Sequence, residues 1–186
     1  MSTITKEKNE SMMNANNEHM PSEVEPYVLS AVEYIRRAVG LKIDLQVESL
    51  AVVDHYLKGV SGVDPTIVDL VGSSVGCYFG EMIRRYFDGR WRIEGGSPSG
   101  WMVDLAHGVS VCPVGMVAEA IGVGEVEGYD GSISVPRHRL KLLKSVLEGM
   151  GPVAVDVYYS LTNRLEVLEQ VLDRLTALKE QKRSTK

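Results

Sequence analysis

Three glycines spaced four residues apart lie inside the most strongly helical segment of this chain. The segment covers residues 65–88, and its apolar side chains fall on one continuous face when successive residues are placed at 100° intervals. Gly72, Gly76 and Gly80 follow one edge of this helix, where each glycine costs about 1 kcal/mol relative to alanine. Because a missing side chain lets another element approach the backbone, the spacing predicts close packing along this edge in preference to a bound ligand.

Composition and charge exclude several classes of protein. The 186 residues are 44% apolar and 24% charged, which is typical of a folded domain. The net charge of -5 gives no general attraction to nucleic acid or to anionic lipid. Only two cysteines are present, and no basic start precedes an apolar run, which favours a reducing compartment. We therefore expect a cytoplasmic protein that binds neither membranes nor nucleic acid.

A single folded domain is predicted between two polar ends. Residues 1–21 contain almost no large aliphatic side chains, so we expect a disordered tail there. Residues 182–186 are polar and basic and are expected to fray. The intervening residues 22–181 carry the apolar patterns of one domain.

The apolar pattern changes from a helical to an alternating period after residue 89. Residues 90–94 and 101–105 alternate on either side of a glycine-rich turn, which predicts a β-hairpin, and residues 109–111 predict a third strand. Residues 41–45 also alternate and predict a short strand. The sequence thus predicts an α+β fold, in which five to six helices pack on a small antiparallel sheet of three to four strands and the C-terminal helix is long.

The C-terminal helix, residues 160–181, carries leucines at alternating steps of four and three. This heptad spacing extends over little more than two heptads, so docking against the chain's own domain and pairing with a second chain both fit it. The seam is the candidate interface for a protein partner or a homodimer, and it consists of Leu161, Leu165, Leu168, Leu172 and Leu175.

No motif for catalysis, a cofactor or a metal is recognisable. The glycine-rich turn at residues 95–100 lacks the Lys-Ser/Thr ending of a phosphate-binding loop. The histidines and cysteines do not show the spacings typical of zinc sites. Cys77 lies inside a predicted helix and Cys112 at a predicted strand end, without the neighbouring base that activates a thiol. We therefore predict no catalytic residue, no cofactor and no metal.

Charged residues invite two further interpretations. Glu81 lies on the polar arc of the 65–88 helix, three and four residues before Arg84 and Arg85, so periodicity predicts an exposed ion-paired carboxylate. Residues 137–144 form a local basic cluster that could meet phosphate, including that of a nucleic acid, but the acidic stretch at 124–131 is the nearer partner. We expect an intramolecular or solvated role for this cluster.

The sequence Gly76-Cys77-Tyr78-Phe79-Gly80-Glu81, followed by Gly89-Arg90-Trp91, resembles a group of bacterial domains of unknown function. In that group, a helix ending in G-x-Y-x-G-E leads through a glycine–tryptophan step into a small antiparallel sheet. Asp44 and the Ser-Leu-x-x-x-Asp pattern at residues 49–54 are similar to that group as well. The resemblance covers about residues 41–121.

This resemblance implies an architecture and no particular reaction. It singles out Tyr78, Gly80, Glu81 and Trp91 as the structural motif, together with Gly72 and Gly76. For Glu81 it implies a hydrogen-bonding role toward backbone N–H groups of the following hairpin, in conflict with the exposed position that periodicity predicts.

Two functions remain open at this point. The first is a non-catalytic protein-binding or accessory module, similar to an immunity or adaptor protein, because no reaction site can be assembled. The alternative is a small ligand-binding protein or enzyme with a pocket between helix 65–88 and hairpin 90–105. Glu81 and Trp91 would surround that pocket together with Trp101, Asp104 and His107.

Overall fold

The computed structural model describes residues 19–60 and 65–184. Within these ranges the chain forms seven α-helices and four short strands, which confirms the predicted α+β class with one helix more than expected. The helices are α1 (Glu25–Val39), α2 (Leu50–Val60), α3 (Pro65–Tyr86), α4 (Pro113–Gly122), α5 (Leu140–Gly149), α6 (Val155–Tyr158) and α7 (Leu161–Ser184). The strands are β1 (Arg90–Arg92), β2 (Met102–Asp104), β3 (Ser110–Val111) and β4 (Ile133–Ser134).

The structure describes the two ends of the chain to different extents. The predicted tail lies outside the described residues as far as position 18. The carbonyl of Pro21 already accepts hydrogen bonds from the backbone N–H groups of Val24 and Glu25, so ordered structure begins just before the predicted boundary. At the other end, α7 continues to Ser184, beyond the expected onset of fraying at residue 182.

The sheet is antiparallel throughout, in the order β1-β2-β3-β4. Its register places Trp91 opposite Val103, Val103 opposite Val111, and Val111 opposite Ile133. These residues form one row on the face that is turned toward the core, where Val103 and Val111 are fully buried. The alternating pattern of residues 90–105 therefore predicted the hairpin correctly.

Helix α3 is the centre of the molecule. It packs against α1 and α4, and it also contacts β2. Almost every residue from 71 to 84 is buried, so this part of the helix is covered on all sides and not on one face alone. In the described ranges, no helix combines the length and apolar character needed to span a bilayer.

The predicted strand at residues 41–45 is wrong. These residues form an irregular segment that side chains hold in place. The Ser49 hydroxyl donates to the Asp44 carboxylate at 2.8 Å and accepts from the Asp44 backbone N–H at 3.1 Å, while the Tyr78 hydroxyl donates to the Asp44 carbonyl. Side chains thus satisfy backbone groups that a strand would have paired.

The leucine seam of α7 docks on the chain's own domain. All five leucines are at most 8% exposed, and they belong to the main hydrophobic core. Of the two alternatives that the heptad spacing left open, the structure shows docking within the chain. The seam therefore offers no leucine to a second chain, and the candidate interface has to be sought elsewhere.

The glycine edge of α3 makes close contact at two of its three positions. A Cβ atom added to Gly76 would lie 2.6 Å from the Cα atom of Val114, and one added to Gly80 would collide with the indole of Trp91. At Gly72, an added Cβ would meet nothing within 4 Å. Helix α4 thus packs closely against the backbone at Gly76, and strand β1 packs closely against the backbone at Gly80, as predicted. Gly72 makes no such close contact.

Alanine substitutions at two of these glycines are therefore expected to have opposite effects on the free energy of unfolding. Gly76→Ala should lower it by about 2 kcal/mol, because the methyl group meets backbone that cannot move aside. Gly72→Ala should raise it by about 0.5–1 kcal/mol, because alanine favours the helix and meets no neighbour. Urea denaturation measures both values, and a loss of stability in Gly72→Ala would contradict this assignment of the contacts.

Candidate functional site

Glu81 is completely buried, so the exposed position predicted from periodicity is wrong. Its carboxylate accepts two hydrogen bonds from Arg84, both at 2.9 Å, and one from Arg85 at 2.8 Å. The indole N–H of Trp91 donates a further bond at 3.0 Å. Glu81 therefore joins α3 to β1 through the Trp91 indole, and its other donors are guanidinium groups of its own helix, where the resemblance implied backbone N–H donors.

The ionisation of Glu81 follows from these contacts. Burial by itself raises the pKa of the carboxyl group, but the hydrogen bonds from Arg84, Arg85 and Trp91 outweigh it and hold the pKa below its ordinary value. The carboxylate is charged at neutral pH and its oxygens are occupied by donors. It is therefore a structural group and is not placed to act as a general acid.

Two more motif residues hold elements together. Burial raises the pKa of Tyr78 to about 12, so its hydroxyl stays protonated and donates to the Asp44 carbonyl. Asp54 on α2 accepts from the backbone N–H groups of Leu161 and Thr162 at 2.7 and 3.2 Å, and from the Thr162 hydroxyl at 2.6 Å. Asp54 thus caps the first turn of α7 from a neighbouring helix.

Of the residues of the alternative pocket, Glu81 and Trp91 are in contact, whereas Trp101, Asp104 and His107 each contact other groups. Trp101 is buried edge-on against Tyr27, with ring centroids 5.8 Å apart. Asp104 forms an ion pair with Arg92 at 3.1 Å, and the Nε2 atom of His107 lies 3.0 Å from the Thr176 hydroxyl on α7. Because Glu81 is bonded elsewhere and has no exposed surface, the expected pocket between α3 and the hairpin is not supported.

Both cysteines are buried and free. Burial raises the pKa of the Cys77 thiol to about 12 and also raises that of Cys112, whose sulfur contacts the Ser99 carbonyl at 3.2 Å. Neither thiol is placed to form the thiolate that nucleophilic attack requires. Within residues 19–60 and 65–184, no group of three or more His, Cys, Asp or Glu side chains could hold a metal ion.

An exposed apolar surface, which we call the 140–158 face, lies on α5, α6 and the segment between them. Helix α5 is amphipathic, yet none of its residues is buried. Of the thirteen exposed large apolar side chains in the described ranges, six belong to this face. They are Leu140, Leu147, Val153, Val155, Val157 and Tyr158, with exposed fractions from 37% to 61%.

A cavity of about 140 Å³, the α5–α7 cavity, is continuous with this face. Leu147 and Tyr158 belong both to the face and to the cavity wall. The complete lining is Ser132, Ile133, Leu143, Leu147, Tyr158, Asn163, Arg164 and Val167. The wall is therefore largely apolar, with one buried guanidinium and one amide among its groups.

The positive charge of the Arg164 guanidinium is balanced by a carboxylate on another helix. It forms an ion pair with the carboxylate of Glu119 on α4 and donates to the Gly131 carbonyl at 3.0 Å. The rings of Tyr158 and Tyr159 lie 5.4 and 5.3 Å from its Cζ atom, within cation–π range. No local sequence pattern links Glu119 to Arg164, so this pair could not be predicted from the sequence.

Basic side chains border the face on α5 and just before it. Arg137, Lys141 and Lys144 are exposed, and Lys144 makes a loose ion pair with Glu148 at 3.7 Å. In the described part of the chain, no ion pair joins this cluster to the acidic residues 124–131, and these three side chains occupy the solvated position that the sequence also allowed. These cations remain available to charges outside the molecule.

Comparison with known proteins adds no relative. The chain matches no protein-family model, no curated protein and no solved structure.

Proposed function

We propose that this protein is a bacterial, cytoplasmic protein-binding or accessory module and that the 140–158 face is its binding surface. The observation that carries the proposal is the set of six exposed apolar side chains within residues 140–158, two of which, Leu147 and Tyr158, line the α5–α7 cavity. Contiguous apolar patches rimmed by polar groups mark interaction sites on proteins. The proposal groups the chain with the bacterial domains whose G-x-Y-x-G-E motif it resembles.

The contacts of the motif residues favour binding over catalysis. A catalytic acid or base must reach a substrate, whereas the carboxylates of Glu81 and Asp54 are engaged by donors from their own chain. The α5–α7 cavity is also smaller than the roughly 300–1,000 Å³ typical of small-molecule sites. A site for one side chain of a partner fits this volume better than a site for a metabolite.

Site-specific photo-crosslinking in the cells that produce the protein tests this function. Val155 on the face and Leu29 on α1 are both 61% exposed, so a photoreactive amino acid at either position samples solvent equally. We expect a discrete protein adduct from position 155, and from position 147 as well, but not from position 29. Equal labelling at positions 155 and 29, or no adduct at 155 and 147, would contradict the proposed function.

A further inference from the structure

We propose that the α5–α7 cavity receives one leucine or phenylalanine side chain from an acidic amphipathic helix of the partner. This inference rests on the proposed function and specifies the chemistry of the partner's binding segment. It depends on three properties of the site: the volume of the cavity, the neutrality of its wall, and the charge around its mouth.

The volume of the cavity suits a single large apolar side chain. At about 140 Å³ it is close to the roughly 150 Å³ of an apolar protein cavity that binds benzene. Ile133, Leu143, Leu147 and Val167 provide aliphatic wall surface. A phenyl ring or an isobutyl group would therefore fill the cavity and exchange water contact for dispersion contact.

The wall favours an uncharged anchor. Arg164 is 7% exposed, its charge is already balanced by Glu119, and the Gly131 carbonyl accepts a hydrogen bond from its Nη1 atom. Among the described residues, its Nε atom has no hydrogen-bond partner, so the wall keeps one buried donor but no unbalanced charge. A partner carboxylate entering the cavity would have to compete with Glu119 and lose its own hydration. An apolar anchor avoids both costs, so we place the partner's acidic groups outside the cavity.

The surroundings of the cavity resemble those of an interface hot spot. Such sites centre on one anchor in a pocket, encircled by side chains that exclude water. Leu140 and Leu147 are two helical turns apart on α5, and Val155 and Tyr158 are one turn apart on α6. The spacing within each helix matches the spacing of apolar positions along a partner helix, and Leu147 and Tyr158 meet at the cavity.

The charge at the mouth selects an acidic partner segment. Residues 137–149 contain four Arg and Lys residues and one acid, Glu148, although the whole chain carries a net charge of -5. Asp156 on α6 adds a second acid to the face, but its carboxylate pairs with Lys58 at 3.4 Å. Among the cations, the guanidinium of Arg139 donates to the His107 carbonyl at 2.7 Å, which leaves Arg137, Lys141 and Lys144 toward solvent. Lys144 lies one turn from Leu140 and one turn from Leu147, so its ammonium borders the apolar face. Cations at the rim of an apolar site accelerate binding of an acidic partner and disfavour a basic one.

Two other kinds of occupant fit the geometry less well. A membrane surface is bound by apolar groups that protrude into the lipid, whereas the centre of this face is concave. Single-stranded nucleic acid is bound by successive aromatic platforms, but Tyr158 is the one exposed aromatic residue of the face. Both occupants are included as outcomes of the following experiment.

Selection of peptides tests the inference without knowledge of the partner. The probe is a displayed library of random peptides, each long enough for several helical turns, selected on the full chain. We expect the selected peptides to share one Leu or Phe and an excess of Asp and Glu. Leu147→Lys should weaken their binding by about thirtyfold, the effect of losing a hot-spot contact, whereas Leu29→Lys should leave it unchanged.

Charge reversal tests the acidic part of the inference. The double variant Lys141→Glu/Lys144→Glu should weaken binding of the selected peptides several-fold, and the effect should shrink as salt is added. Thermal melting of each variant checks that it is folded. Selected peptides that lack acidic residues, or that bind Leu147→Lys as well as the wild-type chain, would overturn the inference.

The outcomes separate this inference from the proposed function. Crosslinking at position 155 together with neutral or basic selected peptides would refute the acidic helix but leave a protein-binding face. Failure of both experiments would refute both. Binding to vesicles of anionic phospholipid or to a single-stranded oligonucleotide that is abolished by Leu147→Lys, without any selected peptide, would also overturn the inference.

Discussion

Replacing Glu81 by alanine is expected to lower the free energy of unfolding by about 3–5 kcal/mol, the loss typical of breaking a buried ion pair. Arg84 is 5% exposed, and removing Glu81 takes away the carboxylate to which its Nε and Nη2 atoms donate. The indole N–H of Trp91 would lose its acceptor at the same time. Urea denaturation followed by circular dichroism measures the change.

A matched variant distinguishes the buried contacts of Glu81 from its exposed one. The Arg85 side chain is 47% exposed, so Arg85→Ala removes an ion pair that water screens. We expect this variant to lose no more than about 1 kcal/mol. If Glu81→Ala is no less stable than Arg85→Ala, the carboxylate does not have the central role assigned to it.

The stability conferred by the charge of Glu81 should depend on pH in a defined direction. Its pKa lies below the ordinary value of 4.5 in the folded chain, so the unfolded chain binds its proton first as the pH falls. The stability advantage of the wild type over Glu81→Gln is therefore fully present above pH 4.5. It should decrease as the pH falls through the lowered pKa, and unfolding curves across that range would detect it.

The parts of the fold that could be predicted are those that local periodicity determines. The alternation of residues 90–105 specifies the hairpin because every second side chain faces the core. The spacing of Gly76 and Gly80 indicates close packing because a glycine inside a helix needs a compensating contact. Both features can be inferred without knowing what lies on the other side of the contact.

The errors have a common physical origin in contacts between distant parts of the chain. A helical wheel assumes that one face of a helix is buried, but α3 is covered by α1, α4 and the sheet, which places Glu81 inside. Apolar and polar residues alternate in the segment 41–45, but hydrogen bonds from the hydroxyls of Ser49 and Tyr78 fix this segment, and no neighbouring strand in the described ranges pairs with it. No local pattern reports either environment.

The candidate site was missed for the same reason. The α5–α7 cavity is formed by β4, α5, α6 and α7, and its polar wall depends on a pair of residues 45 positions apart. The amphipathic pattern of α5 is visible in the sequence, but periodicity cannot tell that Leu140 and Leu147 remain exposed on its apolar side. The leucine seam of α7 gave the stronger sequence signal, although it is buried within the chain.

Replacing Glu119 by alanine is expected to destabilise the chain by about 3–5 kcal/mol, because it leaves the guanidinium of Arg164 buried without its counter-ion. The substitution also removes the acceptor of the Gly131 N–H, which lies 3.0 Å from the carboxylate. Arg164→Met should be costly as well, because it leaves the Glu119 charge buried and unpaired. Chemical denaturation of both variants provides the single-substitution values.

The double variant Glu119→Leu/Arg164→Met reveals whether the two residues act as a unit. Apolar side chains of similar volume can replace a buried ion pair with little loss, so the double variant should lie within about 2 kcal/mol of the wild type, the Gly131 N–H accounting for the remaining loss. Glu119→Leu and Arg164→Met measured singly complete the cycle. Additive losses would mean that the two charges are stabilised independently, and the neutral wall assigned to the α5–α7 cavity would then have no basis.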